Sequence, residues 1–273
     1  MAAIHDMTIP LLPQRYYHIY NRGIDRNPIF FIDENYRYFL KKYAEKTEGY
    51  FNTFAYCLME NHFHFFIQPL SNKEILTKGA SDYLFVNQRF LKDFVIPWTA
   101  RVGIDSSSVK QEDLTNFENL LNLYSLYGDI QSNPDNQPNN LASCDFLDQL
   151  CSWILSDRLR GLMLGYAKAI NKQQQRTGSL LQKGFRRKNV PDFLYEKKMV
   201  LWYIHHNPIH HFYTNHYGGY KWSSYHAFLS TSQTRIKRDI ALEWFEDLNA
   251  FLKSGDEYKL LKKSHNWMIE EDK

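Results

Sequence analysis

Cysteine is nearly absent: Cys57, Cys144 and Cys151 are the three in a chain of 273 residues. An odd number with no CxxC spacing argues against a disulfide framework and a cysteine-built zinc site, and makes reduced, mostly buried thiols the expectation. Net charge is almost absent too, because 33 basic side chains face 30 acidic ones and leave +3. Any affinity for nucleic acid must then come from local clustering rather than from a basic whole. Apolar runs are short. None approaches the roughly 20 residues that cross a bilayer, and Met1 to Arg15 lacks the basic-then-apolar layout of a signal peptide, so a cytoplasmic protein with no membrane partner is expected.

What the chain does have is aromatic and apolar mass, 16% and 44% of its residues, enough for one sizeable core or a core with an inserted module. Tyr16 to Tyr20 reads as a first strand that stops at Asn21-Arg-Gly23. Asn35 to Tyr50 has helical spacing, with Tyr36, Phe39, Leu40 and Tyr43 at three- and four-residue intervals. Phe51 to Met59 and His62 to Leu70 read as a hairpin broken at Glu60-Asn61. From Ser71 to about Asp145 acids outnumber bases, and 131–140 is a polar, proline-broken tract, so this stretch reads as an insertion with some helix near Leu114 to Tyr127. A long helix follows from Phe146 to about Gln175, then a last strand within Leu180 to Val190. A second helix is expected from Asp192, as N-cap, to about His206, closed by Pro208. The expected fold is α+β: a ferredoxin-like sandwich with a four-stranded antiparallel sheet and helices on one face. Its expected parts are 14–70, an insertion at 71–145, 146–230 with the second helix, and a helical tail at 231–273.

Three groups of residues carry chemistry. His62 and His64 are two apart on a strand, so both imidazoles project to one face and make half of a metal site; two ordinary histidines of a polar sheet face would have the same spacing. Tyr203 and Asn207 are four apart on a helix, which stacks a phenol and an amide on one side; a core tyrosine followed by a helix cap would do the same. Two histidines with an amide oxygen suit Mg²⁺ or Mn²⁺ better than a catalytic zinc. Finally, Lys168, Lys172, Arg176, Lys183, Arg186, Arg187 and Lys188 occur with no acid between them. That run suits a surface tracking a phosphate backbone, although a solvated helix and loop would read alike.

Taken in order, Asn21-Arg-Gly23 with Arg26, Met59-Glu-Asn-His-Phe-His64, Arg176-Thr-Gly-Ser-Leu180 and Tyr203-Ile-His-His-Asn-Pro208 resemble the successive signatures of REP-associated tyrosine transposases, a domesticated branch of the HUH single-tyrosine transposases. The resemblance covers roughly Gln14 to Ser224, apart from the insertion. It implies that His62 and His64 bind a divalent ion, that Asn207 completes its shell, and that Tyr203 is the nucleophile. It further implies DNA contacts by Arg22 and Arg26, a single-stranded DNA substrate with a nearby hairpin, a 5′-phosphotyrosine intermediate and no nucleotide cofactor. A bacterial, nucleoid-associated setting goes with it, as monomer or homodimer. Tyr166, Tyr195 and Tyr213 are assigned to packing or DNA contact, with Tyr166 the first substitute nucleophile to test.

Two other functions compete. One is a DNA-binding relic of a transposase that no longer cuts. The other is a zinc-dependent hydrolase, in which His62 and His64 gain a third imidazole from His205, His206, His210 or His211.

Overall fold

A computed structural model describes residues 9–82 and 146–261, together with 96, 97 and 100. The helix expected near Leu114 to Tyr127, the polar tract and Cys144 lie outside those residues. Contacts divide the chain into two compact units: one built on Arg15–Gln68 and the chain from Leu159 onward, the other on Pro10–Gln14 and Pro69–Arg158.

The first unit holds the sheet. β1 (Tyr16–Arg22) is followed by α1 (Asp33–Thr47), then β2 (Phe51–Met59) and β3 (His62–Pro69). The strand order is β2-β3-β1-β4, and β1 runs antiparallel to both β3 and β4 (Arg186–Val190). This is the split βαβ arrangement of the ferredoxin-like fold. Each strand pair shares faces by register: Tyr17 lies opposite Ile67 and Ile19 opposite Phe65, while Tyr20 lies opposite His64 and Arg22 opposite His62. Alternation thus gives the sheet one mainly apolar face and one mixed face.

The apolar face is covered by α1 and by the part of α3 (Phe146–Gln173) from Leu159 onward, which belongs to this unit. Tyr43 stacks on Phe65 with centroids 4.0 Å apart, and Phe39 packs on Phe63 at 5.0 Å. Leu159, Leu162 and Met163 close over Ile19, Phe65 and Ile67. Tyr166 is fully buried there and donates its hydroxyl to the Ile29 carbonyl at 2.7 Å. α1 starts on Asp33 and Glu34, whose charges favour the positive end of a helix. Asn35 ties the start down, its Oδ1 accepting from the Phe31 and Ile32 N–H groups at 3.0 and 3.3 Å.

The α+β class and the four-stranded antiparallel sheet are as expected, but helices cover both faces of the sheet where one was expected. In the second unit, α2 (Asn72–Ser81) is joined to the start of α3 (Phe146–Gln173) by Asn72 Nδ2 donating to Asp148 Oδ1 at 3.2 Å. Back in the first unit, α4 (Leu194–His210) packs over the mixed face, supported by α5 (Tyr225–Phe228), α6 (Arg238–Glu243) and α7 (Leu248–Leu261). The reason is that Tyr16, Phe54 and Phe66 of that face are apolar and need cover. Trp244 provides it, packing on Phe54 at 4.9 Å and on Phe66 at 5.8 Å. Trp202 of α4 is sandwiched beyond, stacked on Phe251 at 4.5 Å. Gly255 permits that approach, since a Cβ there would lie 2.7 Å from the indole.

Two boundaries of α4 also depart from expectation. The helix begins at Leu194 behind Phe193, and Asp192 makes no cap but pairs with Lys197 at 2.8 Å. Pro208 does not end it, because the helix runs on to His210. A proline so near a helix end removes only one backbone hydrogen bond, and both Asn207 and Pro208 are buried by packing that holds the last turn.

Candidate functional site

Three of the sequence signatures meet at one corner of the first unit, and backbone hydrogen bonds show why. Gly23 follows β1 where a Cβ would stand 2.0 Å from the Asn27 carbonyl oxygen, so only glycine lets the chain turn back so tightly. The Gly23 N–H donates to the Asn61 carbonyl at 2.8 Å, and the Ile29 and Phe30 N–H groups donate to the Glu60 carbonyl at 2.8 and 3.0 Å. Asn61 Nδ2 closes the clamp on the Arg26 carbonyl at 3.1 Å. From the other side, Ile24 N–H donates to the Leu180 carbonyl at 3.1 Å and Gln182 N–H to the Arg22 carbonyl at 2.9 Å. The loop after β1 therefore binds together the hairpin turn before His62 and the loop after α3.

The mixed sheet face at this corner presents His18, Tyr20, Arg22, His62 and His64 by register, with Lys188 opposite His18 and Arg186 opposite Tyr20. Tyr203 comes down on it from α4. Its ring stands edge-on to His18 at 5.4 Å and to His64 at 5.6 Å. His211, just past α4, packs against His62 at 4.8 Å. One turn beyond Tyr203, the buried Asn207 donates Nδ2 to the Tyr203 carbonyl at 3.0 Å.

Hydrogen bonds also orient the two imidazoles. His62 Nδ1 lies 2.6 Å from Asn61 Oδ1. An amide oxygen can only accept, so His62 carries a proton on Nδ1, which leaves Nε2 as the nitrogen that a neutral ring would offer to an ion. His64 Nδ1 lies 2.9 Å from His18 Nε2. Both His62 Nε2 and His64 Nε2 are buried. Burial holds the His64 pKa down to about 3, aided by His211, Arg22 and Lys188. Burial, His64 and Lys188 likewise push His18 well below the usual imidazole range. Neutral rings are what a metal site needs. The two imidazoles are backed through Nδ1, the orientation that metal-binding histidines usually have, and the Asn207 amide lies one turn beyond Tyr203 on the same helix.

An open cleft of about 450 Å³ adjoins this corner, lined by Phe31, Asp33, Glu60, Tyr213, Tyr220 and Trp222 among others. Tyr213 donates its hydroxyl to Glu60 at 3.4 Å.

No protein-family model matches the chain, and no curated protein matches it. A solved structure of a REP-associated tyrosine transposase bound to a REP hairpin is similar over 82% of this chain and 83% of that one, with 9% sequence identity and a TM-score of 0.43. That likeness is too distant to bear on chemistry, which rests on the residues themselves.

The structure brings His62, His64 and Tyr203 together, and it places Arg22, Arg186 and Lys188 on the same face. Arg186 and Lys188 both lie over the Tyr20 ring at 5.9 Å. Arg187 does not join them. It lies opposite Ile19 and so faces the apolar side, where its guanidinium covers Phe185 at 4.8 Å and burial lowers its pKa to about 10. Strand alternation splits the basic run in two. Lys168 and Lys172 are exposed on α3, the helix over the apolar face, while Lys183 is exposed in a loop and Arg26 at the end of a short 3-10 turn, Ile24–Arg26. Arg176 Nη2 donates to the Ser179 carbonyl at 3.3 Å.

Of the histidines considered for a zinc site, His205 lies 2.9 Å from Ser224 Oγ, and His206 lies 3.3 Å from the Tyr217 hydroxyl. Among the described residues no group of three or more His, Cys, Asp or Glu side chains is placed to hold an ion. The sequence reading missed His18, Tyr20 and Asn61; His211, one of the histidines it offered as a third imidazole, is the one that packs on His62. A signal for the first two existed: the ferredoxin-like order puts β1 beside β3, and His18 and Tyr20 are two apart on β1.

Proposed function

We propose that the protein nicks and rejoins single-stranded DNA through Tyr203, as a single-tyrosine strand transferase. The observation that carries the reading is the packing of Tyr203 edge-on to both His18 and His64, on a sheet face that also holds His62, Arg22, Arg186 and Lys188. A nucleophile, a pair of metal-type imidazoles and phosphate-binding cations share one surface. The signatures read from the sequence supply the substrate class, single-stranded DNA beside a hairpin.

His62, His64 and Asn207 are the residues that would hold Mg²⁺ or Mn²⁺, which when bound polarises a phosphodiester and offsets its charge. Arg186 and Lys188 attract the backbone, held in place over the buried Tyr20 ring at 5.9 Å. A free phenol is a poor nucleophile at neutral pH, so the cationic surroundings must favour its phenolate. Tyr203 Oη then forms a bond to phosphorus as the bond from phosphorus to the 3′-oxygen breaks. The phenol proton leaves to solvent and the departing 3′-oxygen takes one up. The 5′ end stays on Tyr203, and attack by a second 3′-hydroxyl reverses the step without ATP.

The test is Tyr203→Phe, run on a denaturing gel with labelled single-stranded hairpin DNA and Mg²⁺ or Mn²⁺. The ring and the packing remain, so DNA binding should hold within about 1 kcal/mol, the scale of one hydrogen bond, while the nick and the covalent adduct disappear. An adduct that persists would make another tyrosine the nucleophile. Tyr166 is no longer the first to try, because it lies under the opposite face with its hydroxyl bonded to Ile29; Tyr20, also buried but on the Tyr203 face and stacked against His64 at 5.8 Å, takes its place. A nick with no adduct would favour a hydrolase.

A further inference from the structure

We infer that His18 is a positioning residue: by accepting a hydrogen bond on Nε2 from His64 Nδ1, it holds His64 in the tautomer whose Nε2 can bind a divalent cation. The inference rests on the ion-binding reading above and adds to it a residue that touches no substrate.

The two nitrogens are 2.9 Å apart. His18 is 3% exposed and His64 is 0% exposed, so bulk water has little access to this contact. Between neutral imidazoles one nitrogen must donate and the other accept. If His18 were the donor, the His64 proton would sit on Nε2 and block coordination. If His64 donates, Nε2 carries a lone pair. Only the second arrangement is compatible with a cation, and His18 makes it possible without leaving the buried His64 Nδ1–H unsatisfied.

The pair sits among cationic and imidazole side chains. Lys188 lies opposite His18 on β4, Arg22 opposite His62 on β1, and His211 packs on His62. Asn61 does for His62 what His18 does for His64, but it is a turn residue next to its imidazole. His18 reaches from the neighbouring strand, and its ring also lies edge-on to Tyr203 at 5.4 Å. One side chain therefore relates the ion ligand to the nucleophile.

Two substitutions separate this role from packing. His18→Phe keeps a ring against Tyr203 but removes the acceptor. His18→Gln places an amide oxygen near the position of Nε2 and restores it. Mn²⁺ affinity of the full chain, read by electron paramagnetic resonance without DNA, should fall 10–100-fold in His18→Phe, the usual effect of losing such a backing residue, and return to within a few-fold of the parent in His18→Gln. In parallel, nitrogen-15 shifts of the Mg²⁺-loaded parent should show His64 protonated on Nδ1. Equal Mn²⁺ affinity in all three proteins, or a His64 proton on Nε2 with Mg²⁺ bound, overturns the role of His18. A parent that binds neither ion while His64 is protonated on Nδ1 overturns the ion-binding reading itself, and the inference with it.

Discussion

The two faces of the sheet are built from the same strands by the same alternation, yet they do different work. On one, Ile19, Phe63, Phe65 and Ile67 pack against Phe39 and Tyr43 of α1 and Leu159, Leu162 and Met163 of α3. On the other, Tyr16, Phe54 and Phe66 are apolar and covered by the C-terminal helices, whereas toward the hairpin turn the same rows become His18, Tyr20, Arg22, His62 and His64. One face defines the fold. Part of the other is given up to buried polar groups, which lose hydration and must recover it through specific partners. Asn61 and His18 are those partners for the two histidines.

The largest expected effect breaks the apolar face. Phe65→Ala removes a fully buried ring stacked on Tyr43, and should lower unfolding stability by about 3–5 kcal/mol in urea titration. His64→Ala, one residue away on the other face, should cost less, about 1–3 kcal/mol for stranding the His18 nitrogen, yet abolish Mn²⁺ binding. Equal losses of stability would show that the faces do not divide the labour.

Gly23→Ala tests the corner that supports the polar end. The new Cβ would stand 2.0 Å from backbone at Asn27, so the loop must shift. A cost of about 1–3 kcal/mol, typical of overpacking, should come with weakened amide protection at Gly23 and Ile29, whose N–H groups clamp the hairpin turn. Unchanged protection at both would mean that the turn does not depend on this loop.

A third comparison uses pH. His205 lies in the apolar region between Trp202, Tyr225 and Phe228, and burial lowers its pKa from 6.5 to about 3, with His226 adding to the effect. The unfolded chain binds a proton below pH 6.5 that the folded chain refuses until about pH 3. Stability is therefore complete above pH 6.5 and falls with acid by about 1.4 kcal/mol per pH unit for this one histidine. His205→Phe should make the fall between pH 6 and 4 shallower by about that slope. An identical slope in the variant would show that His205 titrates normally in the fold.

Local periodicity made much of this legible. The hairpin at Glu60-Asn61, the common face of His62 and His64, and the helix carrying Tyr203 follow from spacings of two and four, which the backbone geometry enforces. What depended on remote packing was not legible. Nothing near Trp244 or Phe251 indicates that they complete the core over Tyr16 and Trp202. Pro208 reads as a helix end until the burial of its turn is known, and Asp192 reads as a cap until Lys197 is seen to take it. His18 acquires meaning only when β1 lies beside β3. In sequence the seven basic residues from Lys168 to Lys188 look like one surface, but a strand cannot present three consecutive side chains to the same side.

The smallest effect, and the one that divides the faces most finely, concerns that last point. Arg186 and Lys188 share the Tyr203 face, with Arg187 between them turned to the apolar side. Lysine and arginine that neutralise DNA phosphates release counterions, at about 0.7 units of salt slope per contact on single strands. Arg186→Ala with Lys188→Ala should thus flatten the plot of log affinity against log salt by about 1.4 units for any single-stranded sequence. Arg187→Ala should leave that slope alone and instead lower thermal stability, because it removes the cover from Phe185. Filter binding at several salt concentrations, beside a melting curve for each variant, reads both quantities. A slope that falls equally in Arg187→Ala would mean that all three side chains reach DNA, and that β4 leaves the sheet to bind it.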